Sequence, residues 1–296
     1  MSTQGFVNFL REMGHKVRKV GDAWWYNVQP HVYLNFPFHL PVNPHTFSLN
    51  KVLGRDGLIA RFTCLPQLGR SSYKLICDHT NYDFVSLSPR TRTATRRGLE
   101  CCIVKPISFR DLQKSGLRLN RETLRRQGRT TPRGFEEYWR KYYTAAERAE
   151  GAEAWGAIIN GDLAAYLIAF QLGECSNIFI VRSALKYLKC YPNNALLFKY
   201  VQYSLQRPVV REVSYGLESV QVGMESLDHF KLKMGFRKVP IGQRVEFAPW
   251  VSLCVSNSVS LRIIRCLAAK FKGEMFGKIV GMLDWYQRQP ELRFQS

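Results

Sequence analysis

Residues Ala154–Leu172 read AWGAIINGDLAAYLIAFQL, and the centre of this stretch decides the fold. Asn160-Gly161-Asp162 is a tight-hairpin signal, because Asn and Gly accept the positive φ that a short β-turn requires. The flanking runs Ala154–Ile159 and Leu163–Leu172 are apolar and hold aromatic and β-branched residues, so they are expected to be antiparallel strands. Ser176–Arg182 follows as a third strand.

Working upstream, Cys101–Ile107 has strand character, and Phe109–Ser115 and Arg121–Gln127 read as short helices. Pro132–Glu150 is a longer amphipathic helix with Phe135, Tyr138, Trp139 and Tyr142 on one face. Downstream, Pro192 and Asn193 open a helix that runs through Gln206. Val209–Tyr215 is a strand, Met224–Met234 a helix, and Phe236–Ile241 with Arg244–Phe247 a closing hairpin. Ser258 to Tyr286 reads as two basic amphipathic helices broken near Gly273. Before Cys101 the chain is mostly short strands: Lys16–Val20, Trp24–Gln29, Val32–Phe36, Ile59–Leu65 and Tyr73–Cys77, with a short helix at Ser48–Leu53. Ser88 and Pro89 form a helix start that Gly98 is expected to stop. Arg90, Arg92, Arg96 and Arg97 project from this helix, which is either a solvated link or an anion-binding element.

With 296 residues, 46% hydrophobic and 13% aromatic, the chain can bury a substantial core as one large domain or two modest ones. The amino terminus lacks a basic segment followed by a long apolar run, and no apolar stretch reaches about 18 residues, so a cytoplasmic protein is expected. The eight cysteines include no C-x-x-C pair and read as free thiols without metal. The formal charge of +20 attracts anionic partners, whether nucleic acid, an acidic lipid surface or a phosphate-bearing cofactor. There is no G-x-S-x-G elbow, Walker loop, H-E-x-x-H or dinucleotide fingerprint.

From Cys101 to Trp250 the order of elements is β-α-α-α-β-β-β-α-β-α-β-β. That order resembles the GNAT acyltransferase fold, with one extra short helix after the first strand. Leu227–Phe236, LDHFKLKMGF, is similar to the superfamily segment where the last main helix runs into Gly-Phe and a strand. Leu87–Gly98, LSPRTRTATRRG, looks like the arginine-bearing start of the second module in FemAB-type "peptidoglycan bridge" acyltransferases. Asp162–Phe170 fits their long central strand. The resemblance implies an α/β (α+β) fold with a mixed, mostly antiparallel central sheet flanked by helices. It divides the chain into a strand-rich half at 1–98, read as a reduced first GNAT-like module, a GNAT-like acyltransferase module at 99–250, and a basic helical tail at 251–296.

The same resemblance implies where the site lies. The donor would pair with main-chain groups of Ser176–Arg182, including Ile180, Val181 and Arg182, where this strand diverges from the next. Its phosphates would sit near the start of the following helix, at Asn193 and Asn194, with Arg182 and Lys186 nearby. The superfamily's Q/R-x-x-G-x-G/A phosphate loop is missing here, since no glycine lies between Gly173 and Gly216. Lys231 stands where many members carry a tyrosine that protonates the leaving group; it either neutralises charge or forms a surface ion pair. Tyr215 ends the strand at which acceptors approach. His229 is either a base or structural. Arg92, Arg96 and Arg97 would face an anionic donor or acceptor.

The implied function is an N-acyltransferase. It moves an acyl or aminoacyl group from a thioester (acyl-CoA, acetyl-CoA included) or from aminoacyl-tRNA to a small-molecule or peptide amine, without metal. The alternative is a catalytically decayed GNAT-fold protein that binds RNA or another anionic partner. In the tail, Leu261, Ile264, Leu267, Phe271, Met275, Ile279 and Leu283 form an apolar stripe that either packs on its own domain or lies on an anionic membrane.

Overall fold

The computed structural model of the chain describes residues 3–220, 225–256 and 274–292. In chain order the elements begin with α1 (Gln4–Glu12), β1 (Val17–Val20), β2 (Ala23–Gln29), β3 (Val32–Phe36) and α2 (Leu49–Leu53). β4 (Ile59–Cys64), β5 (Arg70–Cys77), α3 (Pro89–Cys101), β6 (Ile103–Pro106), α4 (Phe109–Arg126) and α5 (Phe135–Arg148) follow. Next come β7 (Ala152–Ile159), β8 (Asp162–Leu172), β9 (Cys175–Ser183), α6 (Pro192–Gln206) and β10 (Glu212–Leu217). The last described elements are α7 (Glu225–Lys233), β11 (Arg237–Phe247), α8 (Pro249–Ser256) and α9 (Glu274–Arg288).

These elements form two units, each built from separate stretches of chain. The first comprises Met1–Gly14, Leu75–Gly216 and His229–Arg237; the second comprises His15–Lys74, Leu217–Asp228 and Lys238–Ser296. The units interleave along the sequence, so the linear division 1–98, 99–250 and 251–296 does not coincide with them.

In the first unit the strands run in the order β6-β7-β8-β9-β10. The pairs β6–β7, β7–β8 and β8–β9 are antiparallel, and β9–β10 is parallel. The expected hairpin forms, with Ile159 opposite Asp162 and both Asn160 and Gly161 at positive φ. Strand alternation sends Ala165, Leu167 and Ala169 of β8 to one face, where they join Leu196, Leu197 and Phe198 of α6 in a core. The other face carries Tyr166, which meets Tyr143 of α5, and Phe170, which meets Phe6 and Phe9 of α1. β8 is therefore buried on both faces, and its residues from Leu163 to Leu172 are all buried.

The second unit pairs β1–β2 and β2–β3 antiparallel, β3–β4 parallel and β4–β11 antiparallel. Trp25, Tyr33, Val52 and Phe62 form one core of this unit. A second core joins Val245 and Phe247 of β11 to Met282, Leu283 and Trp285 of α9. The Gln289 side chain brackets β11 by accepting from Val245 N–H at 3.0 Å and donating to its carbonyl at 2.9 Å. Ile279 and Leu283 of the tail stripe therefore pack on their own unit, while Leu261, Ile264, Leu267 and Phe271 lie outside the described residues. The expected break near Gly273 and the helix start at Met224 also lie outside them.

Several sequence expectations change. Phe109–Ser115 and Arg121–Gln127 are parts of the single helix α4, because Gly116 between them is a packing position against Tyr143 and not a break. Ser108 and Asp111 close a capping box at its start. α3 does not stop at Gly98 but continues to Cys101, with Gly98 turned onto Tyr191 and Ala195 of the α6 start. The expected closing hairpin is one strand, β11: Gly242 sits opposite Cys64, where a side chain would strike the Leu65 carbonyl. A helix at Gln4–Glu12 had no counterpart in the sequence reading. No described helix is long and apolar enough to cross a membrane.

Candidate functional site

The register of β9 builds the site. Its β8 side is paired along the whole strand, from Cys175 opposite Leu172 to Ser183 opposite Ala165, with an irregularity at Ile168/Ala169. On the other side its pairing with β10 covers only Cys175–Asn177, ending at Ser214 opposite Asn177. Ile178–Ser183 thus has an edge that β10 does not cover.

Hydrogen-bond alternation shows which main-chain groups face that edge. Ala184 donates to the Ala164 carbonyl at 2.8 Å, which makes Arg182 opposite Tyr166 the next bonded pair towards β8. The N–H and C=O of Val181 and Ser183 consequently point to the uncovered side. The Val181 carbonyl, turned away from β8, accepts from Arg182 Nη1 at 3.0 Å.

Burial pushes the hydroxyls of Tyr166 and Tyr143 above their ordinary range, and the Arg182 charge opposes that shift on both. Arg182 acts in the same way on Tyr215, whose hydroxyl burial also pushes up. Tyr215 therefore keeps its proton at neutral pH and is a weaker acid than an ordinary tyrosine, while its hydroxyl can donate a hydrogen bond. Lys231 of α7 places Nζ 4.8 Å from the centre of the Tyr215 ring, and Phe236 packs on the same ring at 5.8 Å. Tyr215, Lys231 and Phe236 are thus brought together, and Val181 packs on the same core as Tyr215.

The α6 start joins β9 through Asn193, whose Nδ2 donates to Ser183 Oγ at 3.2 Å. The Asn193 Oδ1 is buried and makes no hydrogen bond among the described residues. Asn194 reaches Met234 Sδ at 3.6 Å, and the Arg97 guanidinium lies 6.0 Å from the ring of Tyr191, which precedes α6. A short 3-10 turn, Leu185–Cys190, fills the place of a glycine loop. Pro192 carries no N–H, and those of Asn194 and Ala195 donate to the Tyr191 carbonyl at 3.1 and 3.3 Å. Few main-chain donors are left there for a pyrophosphate.

Other candidates are held elsewhere. Lys186 pairs with Asp162 at 2.5 Å, and that bond holds the Asp162 carboxyl below its ordinary range. Arg92 donates to the Phe84 and Leu87 carbonyls, bracing the turn before α3. Arg96 lies over the Phe84 ring at 5.1 Å. His229 is exposed on α7.

A cavity of about 380 Å³ opens where the α4 end, the α4–α5 loop and β9 meet. Arg182 lines it with Asn120, Arg129, Arg133, Phe135 and Trp139. Behind it, Tyr166 donates to Asn120 Oδ1 at 2.5 Å and Asn120 Nδ2 donates to the Tyr143 hydroxyl at 2.8 Å. The sequence reading did not assign Asn120, Arg129 or Arg133 to a site. Their signal was the loop itself, RRQGRTTPRG at residues 125–134, a basic run between two helices. Among the described residues no cluster of His, Cys, Asp and Glu could hold a metal ion.

No family model matches the chain, and no curated protein matches it in sequence. Solved structures do match it. FemX superposes with a TM-score of 0.60 at 11% identity, over 84% of this chain and 92% of FemX. The C-terminal domain assigned to a lysylphosphatidylglycerol synthetase of Agrobacterium fabrum matches with 0.56 at 13% identity, over 87% of this chain and 92% of the domain. L-PGS from Bacillus licheniformis gives 0.53 at 15% identity, over 82% and 88%. Likeness at such identities concerns the fold. The chain shares the mixed, mostly antiparallel α/β fold of these three structures.

Proposed function

We propose that the chain is an acyl-group transferase that moves an aminoacyl group from aminoacyl-tRNA to an amine, with the reacting carbonyl held at the uncovered edge of β9. The observation that carries this reading is the end of β9–β10 pairing at Asn177 and Ser214, with Val181 and Ser183 presenting main-chain groups beyond it. The resemblance to lysylphosphatidylglycerol synthetase and FemX folds supports acyl-group transfer in general.

The choice of donor follows from the α6 start. An acyl-CoA would need several free amides for its pyrophosphate, and Pro192 together with the Asn194 and Ala195 bonds to Tyr191 leaves few. A tRNA ester makes no such demand, and its phosphates suit a chain of net charge +20.

In the transfer the amine attacks the ester carbonyl. The C–N bond forms and the C–O bond to the ribose breaks; the amine loses a proton and the ribose oxygen gains one. The Val181 N–H polarises the carbonyl, and Tyr215 donates to the leaving oxygen. Lys231 offsets negative charge developing beside that ring. The remainder of the rate comes from positioning.

The test incubates the full chain with labelled aminoacyl-tRNA or labelled acetyl-CoA and a panel of amines. Protein-dependent transfer from the tRNA ester is expected, lowered at least about tenfold by Arg182→Gln or Lys231→Ala. Transfer from acetyl-CoA alone would replace the donor. Tight tRNA binding without transfer would favour the decayed, RNA-binding reading. Full transfer by alanine variants at Lys231, Tyr215 and Asn194 would remove this assignment of the site.

A further inference from the structure

The cavity beside Arg182 has a chemistry of its own. Arg129, Arg133 and Arg182 line it together with the rings of Phe135, Tyr138 and Trp139, and no Asp or Glu is among its lining residues. Two acids of the same helices are held elsewhere: Glu122 by Arg118 and the Leu185 N–H, Glu136 by Arg121. Asn120 in the wall has both ends of its amide bonded, to Tyr143 and Tyr166. The guanidinium groups are therefore the charged handles the cavity offers, set against an apolar wall.

A volume of about 380 Å³ suits a small organic molecule and not a polymer chain. Guanidinium groups favour carboxylate or phosphate oxygens, which they engage through paired N–H donors. The wall formed by Phe135 and Trp139, both largely buried, favours a chain or ring. We propose that this cavity binds an amphiphilic organic anion, with its phosphate or carboxylate at Arg133 and Arg182 and its apolar body along Phe135 and Trp139. Its use as the acceptor subsite rests on the transfer reading above; the binding itself does not. The anion's source is either a soluble ester or acid, or a lipid headgroup.

Calorimetric titration of the full chain with hexyl phosphate, hexanoate, hexanol and inorganic phosphate at low salt tests the assignment. Saturable binding of hexyl phosphate or hexanoate is expected, weakened at least about tenfold by Arg182→Gln and by Arg133→Gln. Arg55→Gln, an exposed position in the other unit, removes the same charge and should leave binding unchanged. Absence of binding by both organic anions overturns the proposal. So does equal weakening by Arg55→Gln, which would mean net charge alone, or inorganic phosphate binding as tightly as hexyl phosphate, which would remove the apolar half. Retention of phosphatidylglycerol vesicles by the wild type but not by Arg133→Gln identifies a lipid source; hexyl phosphate binding without vesicle retention identifies a soluble one. Failure of anion binding leaves aminoacyl transfer standing, and binding without transfer leaves the cavity standing.

Discussion

Replacing Gly98 with alanine sets two effects of opposite sign against each other. Gly98 lies inside α3, where helix propensity alone predicts that Gly→Ala stabilises by about 0.5–1 kcal/mol. The packing predicts the reverse. A Cβ at this position would stand 2.7 Å from the Tyr191 carbonyl oxygen and 3.1 Å from Ala195 Cβ. Comfortable carbon contacts lie near about 3.5–4.0 Å, so one helix must retreat by several tenths of an ångström. The Tyr191 carbonyl is not free to move, because it accepts from Asn194 and Ala195 at the start of α6. Such overpacking costs about 1–3 kcal/mol, so at the middle of both ranges it outweighs the propensity gain by about 1 kcal/mol, and by about 2.5 kcal/mol at most. For a chain of this size a net loss of about 1 kcal/mol lowers the melting temperature by roughly 2–4 °C, read by circular dichroism. Gly277→Ala in α9 is the control, since nothing lies within 4 Å of its added Cβ, and it should melt at or above the wild type. A Gly98→Ala protein that melts as high as the wild type would refute the reasoning and return Gly98 to an ordinary helix position.

Gly116→Ala in α4 repeats the contest, because the new Cβ would meet the Tyr143 hydroxyl at 2.7 Å; urea unfolding should show a loss, and a gain would contradict the packing. Tyr166→Phe removes the donor to Asn120 Oδ1 and a partner of the Tyr143 hydroxyl, so it should destabilise by about 1–3 kcal/mol in the same assay; an unchanged midpoint would show the network to be slack. The hydrogen bonds from Arg237, at 3.0 and 2.5 Å, hold the Asp78 carboxyl below its ordinary range. Because this folded-state pKa is depressed, the pair's contribution is complete above the ordinary Asp value of about 3.9 and is lost as pH falls through the lower folded value. Asp78→Asn should therefore lose less melting temperature than the wild type between about pH 5 and pH 2, and parallel curves would rule the pair out. Cys101 and Cys254 are exposed, whereas Cys64 and Cys77 are buried and burial pushes both thiols up to about 12. Iodoacetamide at mild alkaline pH should label the first two and spare the second two until denaturant is added, as peptide mapping would reveal.

Local signals were legible where the chain's own chemistry settles the conformation. Asn160-Gly161 turned β7 into β8, and Pro192 opened α6, whose span matches the sequence reading at both ends. The order of elements put the Tyr215 strand next to the helix that carries Lys231, because consecutive elements tend to be neighbours in space. Glycines were misread. Gly98 was expected to stop its helix, and Gly116 and Gly242 fall between elements that were expected to be separate, yet each lies inside a continuous element with a neighbour in the space of the missing side chain. A sequence shows that a Cβ is absent but not what fills its place.

Charge behaved in the same way. The sequence by itself determined that the protein is strongly basic and that a hairpin lies at its centre. Only the tertiary structure decided the partners of its cations: Lys186 met Asp162, Arg92 met the Phe84 carbonyl, and Arg133 met Arg182 around a cavity although distant from it in the chain. Helix and strand preferences act over a few neighbouring residues, so they can be read in order along the chain. A cation's partner and a cavity's walls depend on groups brought together by folding, and no local pattern records them.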